Sequence, residues 1–165
     1  MEIKHREILQ KAYLFQGIDS EEYNDLINCL SPQVKYFKKN ETIFFTGDFV
    51  EHIGIILCGT AHAYSEHING NQTLISTLTP MRIFGEILAS TRTQQSPVTV
   101  CAASDITAVF IEYHKVCSMC VTACTAHRLF LQNMLKVIGD KYFSSFDRIN
   151  ILREKTLRSK IMAYL

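Results

Sequence analysis

The spacing of apolar residues changes twice along this chain of 165 residues. Up to Leu30 it is helical: Ile8, Leu9 and Ala12 share a face in KHREILQKAYLF, and Tyr23, Leu26, Ile27 and Leu30 do so in SEEYNDLINCL. Gly17 marks the turn between them. Ser20 with Glu21 and Glu22 makes a start for the second helix, with acids where the helix dipole favours them, and Ser31-Pro32 ends it. From Gln33 to Ile111 the period drops to two. Short β-branched or aromatic runs predict strands at 34–37, 42–45, 53–57, 61–64, 73–78, 98–102 and 107–111. Leu74 and Leu78 are expected on one face, as are Val98, Val100 and Ala102 opposite Thr99 and Cys101. Glycine turns fall at Gly47, Gly59, Gly70 and Gly85. Short strands with such turn signals predict an antiparallel sandwich or barrel, here a β-roll.

After Tyr113 helical spacing returns. Leu131, Leu135, Ile138, Tyr142, Ser145 or Phe146, Ile149 and Leu152 form one seam of three to four heptads. The seam either packs back onto the roll or pairs with a second copy in a parallel coiled coil. It runs beyond what one face of a small roll covers, so a homodimer is expected. Leu157, Ile161 and Leu165 then mark another helix with an apolar face that nothing in the remaining residues covers. Its polar side carries Arg153, Lys155, Arg158 and Lys160 against Glu154, which reads as a solvated face or as a nucleic-acid contact.

Composition narrows the class. There are 17 Lys+Arg and 16 Asp+Glu, 47% hydrophobic and 10% aromatic residues, and a mean hydropathy of +0.05. That is a globular chain of one or two small domains, neither disordered nor coated with positive charge. No apolar run reaches the roughly 20 residues of a membrane span, and MEIKHREILQ lacks the apolar core of a secretory signal. The cytoplasm is expected, and with it cysteines that are reduced or metal-bound.

Several motifs in series resemble the Crp/Fnr family of bacterial transcription regulators: Phe45-Thr46-Gly47-Asp48, Ile53 through Gly59, Asn69-Gly70-Asn71, Phe84-Gly85-Glu86-Ile87, and Val98 through Asp105. They stand in the family's order and at its spacing. The resemblance implies an α+β fold: an antiparallel double-stranded β-roll, jelly-roll-like, with N-terminal helices and a long C-terminal dimerisation helix. It divides the chain into a cyclic-nucleotide-binding-like sensor over 1–121, a dimer helix over 122–152 and, over 153–165, the opening of a winged helix-turn-helix DNA-binding domain whose remainder is absent from these residues.

The resemblance also supplies a test of the ligand pocket. Members that bind cyclic nucleotides use a Gly-Glu at a helix start, then an Arg followed by Ser or Thr ten residues after the Glu, to hold phosphate and ribose. Gly85, Glu86 and Ile87 match the first half; the second half here is Ser96, Pro97 and Val98. Neither Ser96 nor Pro97 supplies a cation, which forfeits about 1.5–3 kcal/mol, and Pro97 has no N–H to donate. Arg92 lies four residues too early. High-affinity cyclic AMP or GMP binding is therefore not expected. The pocket takes another small effector or none.

The sharpest chemical feature is Cys117-Ser-Met-Cys120-Val-Thr-Ala-Cys124-Thr-Ala-His127. These ligand types suit zinc, haem or an iron–sulfur cluster. On one continuous helix they would span about 15 Å, too far for one ion, so a metal or redox site requires a break near Val121-Thr122. The favoured alternative is packing, with Cys117 and Cys124 as small apolar residues in a seam and His127 as a surface or hydrogen-bonded imidazole. Cys29, Cys58 and Cys101 are expected in the core. His62 and His67 do not form the paired-histidine motif of metal-binding barrels, and neither a nucleophile elbow nor a phosphate-binding loop is present, so no enzyme activity is expected. The expectation is an effector- or redox-responsive regulator that dimerises and reaches DNA through a further domain. The competing class is a stand-alone ligand-binding dimer acting through a protein partner.

Overall fold

The computed structural model describes residues 3–67, 69–118 and 125–164. They form two compact units that divide between Asn133 and Met134. In the first, α1 (Ile3–Gln10) leads through a single 3-10 turn (Tyr13–Phe15) to α2 (Ser20–Leu30). The cap of α2 is Asp19, not Ser20: its carboxylate accepts the Glu22 N–H at 2.8 Å. A carboxylate one residue earlier takes the orphan donor, which leaves Ser20 inside the helix.

Eight strands follow: β1 (Gln33–Phe37), β2 (Thr42–Phe44), β3 (His52–Cys58), β4 (Ala61–Glu66), β5 (Gln72–Leu78), β6 (Ile83–Phe84), β7 (Thr99–Ala102) and β8 (Ile106–Glu112). They make two antiparallel four-stranded sheets, ordered β1-β8-β3-β6 and β2-β7-β4-β5. This is the β-roll. The strand beyond those expected is β6, two residues long and too short to carry a period.

Ile56, Ala61, Ala63, Leu78, Phe84, Val100, Ala102, Ile106, Ala108 and Phe110 fill the space between the sheets. Sheet β1-β8-β3-β6 is covered on its other side too, where α1 and α3 (Glu86–Ser90) pack on β3. That double burial is why β3 reads as a continuous apolar run rather than an alternation. Gly54 is required there, because a Cβ at that position would enter the Phe84 ring. In the second sheet one face is outward, and β4 alternates accordingly.

One parity expectation fails. Leu78 pairs with Ala61 and is buried, but Leu74 pairs with Tyr64 and is exposed, because the register shifts by one residue at a bulge between Ala63 and Tyr64. One extra residue moves everything beyond it to the other face.

After α4 (Tyr113–Cys117), α5 runs from Thr125 to Arg153. Its first two turns belong to the roll. Phe130 is fully buried with its ring centroid 5.0 Å from that of Phe15, and the Asn133 amide donates to the carbonyls of Leu14 and Gln16 at 3.2 and 2.9 Å.

The second unit is the rest of α5 and α6 (Leu157–Tyr164). Thr156 and Ser159 cap α6 reciprocally: Ser159 N–H donates to Thr156 Oγ1 at 3.1 Å, and Thr156 N–H to Ser159 Oγ at 3.3 Å. Leu157 and Ile161 are exposed.

Candidate functional site

Two corners of the roll carry the residues singled out from the sequence. The first is the β6–α3 corner. Gly85 adopts φ 80° as the N-cap of α3, and a Cβ there would lie 2.6 Å from the His52 carbonyl oxygen, so both backbone conformation and space demand glycine. Glu86 follows as the first helical residue and is 1% exposed, while Ile87 faces outward. Gly85 and Glu86 thus stand at the start of a short helix.

The second half of the motif is spent on the fold. Ser96 N–H donates to the Asp48 carbonyl at 3.0 Å, and the Ser96 carbonyl accepts Gly47 N–H at 2.7 Å, zipping this segment to the loop before β3. The Ser96 hydroxyl donates to the Val98 carbonyl at 2.6 Å and accepts Val98 N–H at 3.2 Å. Its donor and its acceptor capacity are both engaged, and the residue is buried. Pro97 is exposed, and Val98 packs partly against the core. Arg92 is exposed. None of Gly85, Glu86, Ile87, Ser96, Pro97 and Val98 carries a positive charge.

Next to this corner a cleft of about 390 Å³ opens between the sheets, lined among others by Phe44, Phe49, Phe84 and Phe110. Lys35 Nζ sits 4.9 Å from the Phe110 ring centre. A second cleft, about 350 Å³, is lined by Glu51, His52, Gln94, Glu112, Tyr113 and His114. There Lys115 Nζ donates to Glu112 Oε1 at 2.9 Å and His114 Nδ1 lies 3.4 Å from Oε2. The hydrogen bond from Lys115 above all holds the Glu112 carboxyl below its ordinary range. The sequence reading missed this group, since charges at the end of a strand and in a one-turn helix carry no distinctive spacing.

The second corner lies between α4 and α5. Cys117 is the last residue of α4 and Ser118 its cap, and α5 begins at Thr125, so Cys117 and His127 occupy separate helices. Cys120 and Cys124 lie outside the described residues. Cys117 is exposed rather than packed in a seam, and it shares a hydrogen bond with Tyr113 one turn back. That bond, with burial, pushes the Tyr113 phenol up to about 12. His127 is buried, 6% exposed, with Nε2 at 2.7 Å from the Val116 carbonyl oxygen.

The other thiols correct the sequence expectation of a cysteine core. Cys29 and Cys58 are exposed and Cys101 is half-buried, its Sγ 3.5 Å from Thr42 Oγ1. Cys29 falls outside the stripe Tyr23, Leu26, Ile27 and Leu30 that α2 buries, and Cys101 lies on the outward face of its sheet across from His62. Small thiols are tolerated at such positions, and composition alone does not assign their side. Among the described residues, no three His, Cys, Asp or Glu side chains are grouped to hold a metal ion, and no helix is long and apolar enough to cross a membrane.

On the seam of α5, Leu131 and Ile138 are half-buried, whereas Leu135 is 61% and Leu152 68% exposed, with Tyr142 and Ile149 exposed between them.

Comparison with known proteins places this geometry. The model of the family described as cyclic nucleotide-binding domain matches residues 34–123. No curated protein matches the chain in sequence. A cyclic nucleotide-binding domain from Methylobacillus flagellatus superposes with a TM-score of 0.74 at 18% identity, over 93% of this chain and 85% of that one. The catabolite activator protein of Thermus thermophilus gives 0.69 at 17% identity over 86% of this chain, which spans 63% of that protein's length. The sensor domain of the transcriptional regulator DNR from Pseudomonas aeruginosa gives 0.66 at 16% identity, covering 93% and 95%. At these identities the likeness is one of fold.

Proposed function

The chain belongs to the cyclic nucleotide-binding domain family, and on that premise we propose that it is the sensing and dimerising part of a transcription regulator of Crp/Fnr type. The observation that carries this reading is the apolar seam of α5. Leu135, Tyr142, Ile149 and Leu152 stand at heptad positions with their side chains exposed, the state of a surface made for a second copy of itself. In this reading DNA is met by a winged helix-turn-helix that α6 opens, in the cytoplasm, and the basic residues Arg153, Lys155, Arg158 and Lys160 lie on its approach.

The effector is not a cyclic nucleotide held by the family's phosphate contacts, because Ser96 and Pro97 replace them and the Ser96 hydroxyl is engaged by Val98. A different small molecule at the Glu86 corner, or a signal at the Cys/His corner, would shift the packing along α5. By linkage such a signal must favour the DNA-competent arrangement to regulate at all.

Sedimentation of the chain at tens of micromolar tests the seam: a dimer is expected, and a monomer overturns the reading. Cyclic AMP at about 100 µM is expected to leave the melting temperature unchanged, since any ligand bound by the native state raises it; a rise of several degrees would restore a cyclic-nucleotide effector.

A further inference from the structure

The outward face of sheet β2-β7-β4-β5 carries a cluster that the regulator reading does not use. Register places Thr42, Cys101, His62 and Thr77 in one row across its four strands. Ala61 and Ala63 beside His62, and Val100 and Ala102 beside Cys101, fill the core, so alternation turns the thiol and the imidazole outward together. Directly opposed residues on one face of an antiparallel pair have Cβ atoms about 4.5–5.5 Å apart, which makes His62 and Cys101 immediate neighbours. On the other flank of the thiol, Thr42 Oγ1 lies 3.5 Å from Cys101 Sγ.

The imidazole is itself held. His62 Nδ1 is 2.9 Å from the Tyr64 hydroxyl, and the two rings meet edge to face at 83°. With Nδ1–H donating to the phenol oxygen, Nε2 carries the lone pair that takes a proton. A nucleophile, a base beside it and a third group that orients the base make up the arrangement that activates a thiol. All three side chains stand on paired strands, not on loops.

A cleft of about 400 Å³ opens at this cluster, lined by His62, Tyr64 and Cys101 together with the amide side chains of Asn40 and Gln72. Two amides and a phenol around a thiol suit a polar partner of amino-acid or peptide type. A peroxide would leave that volume unused. We propose that Cys101 is a thiolation site, at which a low-molecular-weight disulfide of peptide type enters the cleft and forms a mixed disulfide with the protein.

The step balances without a further reagent. The Cys101 proton passes to His62 Nε2, and the Cys101 sulfur attacks one sulfur of the incoming disulfide. A new S–S bond forms as the old one breaks, and the released thiolate takes the proton from the imidazolium. The Cys101 sulfur is oxidised and the released half of the disulfide is reduced. Tyr64 acts as a positioning residue through His62. The site stands whether or not the chain regulates transcription.

The test uses the whole chain, reduced, with glutathione disulfide as the probe and peptide mapping by mass to locate the adduct. Exposure alone would favour Cys29, Cys58 and Cys117, which are exposed, over Cys101, which is half-buried. The expected order is the reverse, with Cys101 modified at least about tenfold faster than any of those three at neutral pH. Cys101→Ser should lose the fast phase. His62→Gln should slow it at least about tenfold at neutral pH, with the gap closing as pH rises and the thiol ionises unaided. Tyr64→Phe should slow it less, with the same pH trend. Gln72→Ala should slow glutathione disulfide about three- to tenfold while leaving a small methylthiolating reagent unaffected. Adducts that follow exposure, a glutamine variant that reacts at the wild-type rate, or a gap that stays constant with pH would each overturn the site. An equal effect of Gln72→Ala on both reagents would overturn the peptide-type partner. Should the glutamine variant fail to fold, the order of modification among the wild type's own thiols decides.

Discussion

Strand β3 and the second half of α5 are both rich in apolar residues, and they treat them in opposite ways. In β3, Ile53, Ile55 and Ile56 are fully buried, because the roll interior lies on one side and α1 with α3 on the other. In α5, Leu135, Tyr142, Phe146, Ile149 and Leu152 are exposed. The difference is one of supply. A strand in the middle of a four-stranded sheet has neighbours on every side, whereas these helix positions belong to the second compact unit, which is the rest of α5 and α6 alone. An apolar pattern states how much surface needs cover, not where the cover comes from.

The contrast can be broken first at β3. Ile55→Ala removes a side chain with no exposure, and a loss of about 2–5 kcal/mol is expected in denaturant unfolding. A cost below about 1 kcal/mol would mean the strand is not core. On α5 the expectation is reversed. Leu135→Asp combined with Ile149→Asp should leave the unfolding of the roll itself unchanged while weakening self-association at least about tenfold, about 1.4 kcal/mol, measured by sedimentation. Loss of the roll's own transition would show that these residues are covered within one chain.

A smaller effect is expected at the turn beside the candidate pocket. Ser96→Ala leaves Val98 N–H without its partner and should cost about 1–3 kcal/mol with no gain or loss of cyclic-nucleotide binding. A neutral result would put the Ser96 hydroxyl back among groups free for a ligand.

The smallest effect concerns the corner between β7 and β8. Lys39 N–H donates to Asp105 at 3.0 Å and Lys38 Nζ at 3.1 Å, and these bonds hold its carboxyl below the ordinary 3.8. A carboxyl depressed in the folded state stabilises fully above the unfolded value and loses that contribution as pH falls through the folded one. Asp105→Asn should therefore melt below the wild type at neutral pH, with the gap closing below about pH 4. A gap independent of pH would assign the effect to packing.

Much of this was legible in the residues. The buried face of α2, seven of the eight strands and the glycine corners follow from periodicity and turn chemistry, and Gly85-Glu86 at a helix start follows from the resemblance, whereas Ala12 lies past the end of α1 instead of on its face. The failures share a cause. A bulge between Ala63 and Tyr64 turned Leu74 outward, Asp19 outcompeted Ser20 as a cap, and Cys29, Cys58 and Cys117 face solvent. Each depends on which side of an element meets a neighbour, and a one-residue shift or a small thiol leaves no mark on the pattern.

What the sequence determined by itself is the order of the parts and the missing cation at Ser96-Pro97, because local spacing and residue type are properties of the chain. Only the tertiary structure decided that the Ser96 hydroxyl is already satisfied and that His127 keeps a buried lone pair facing no described donor. Both are matters of which polar atoms find partners after folding, and a hydrogen bond such as that from His127 to Val116 joins residues 11 apart that no local period connects.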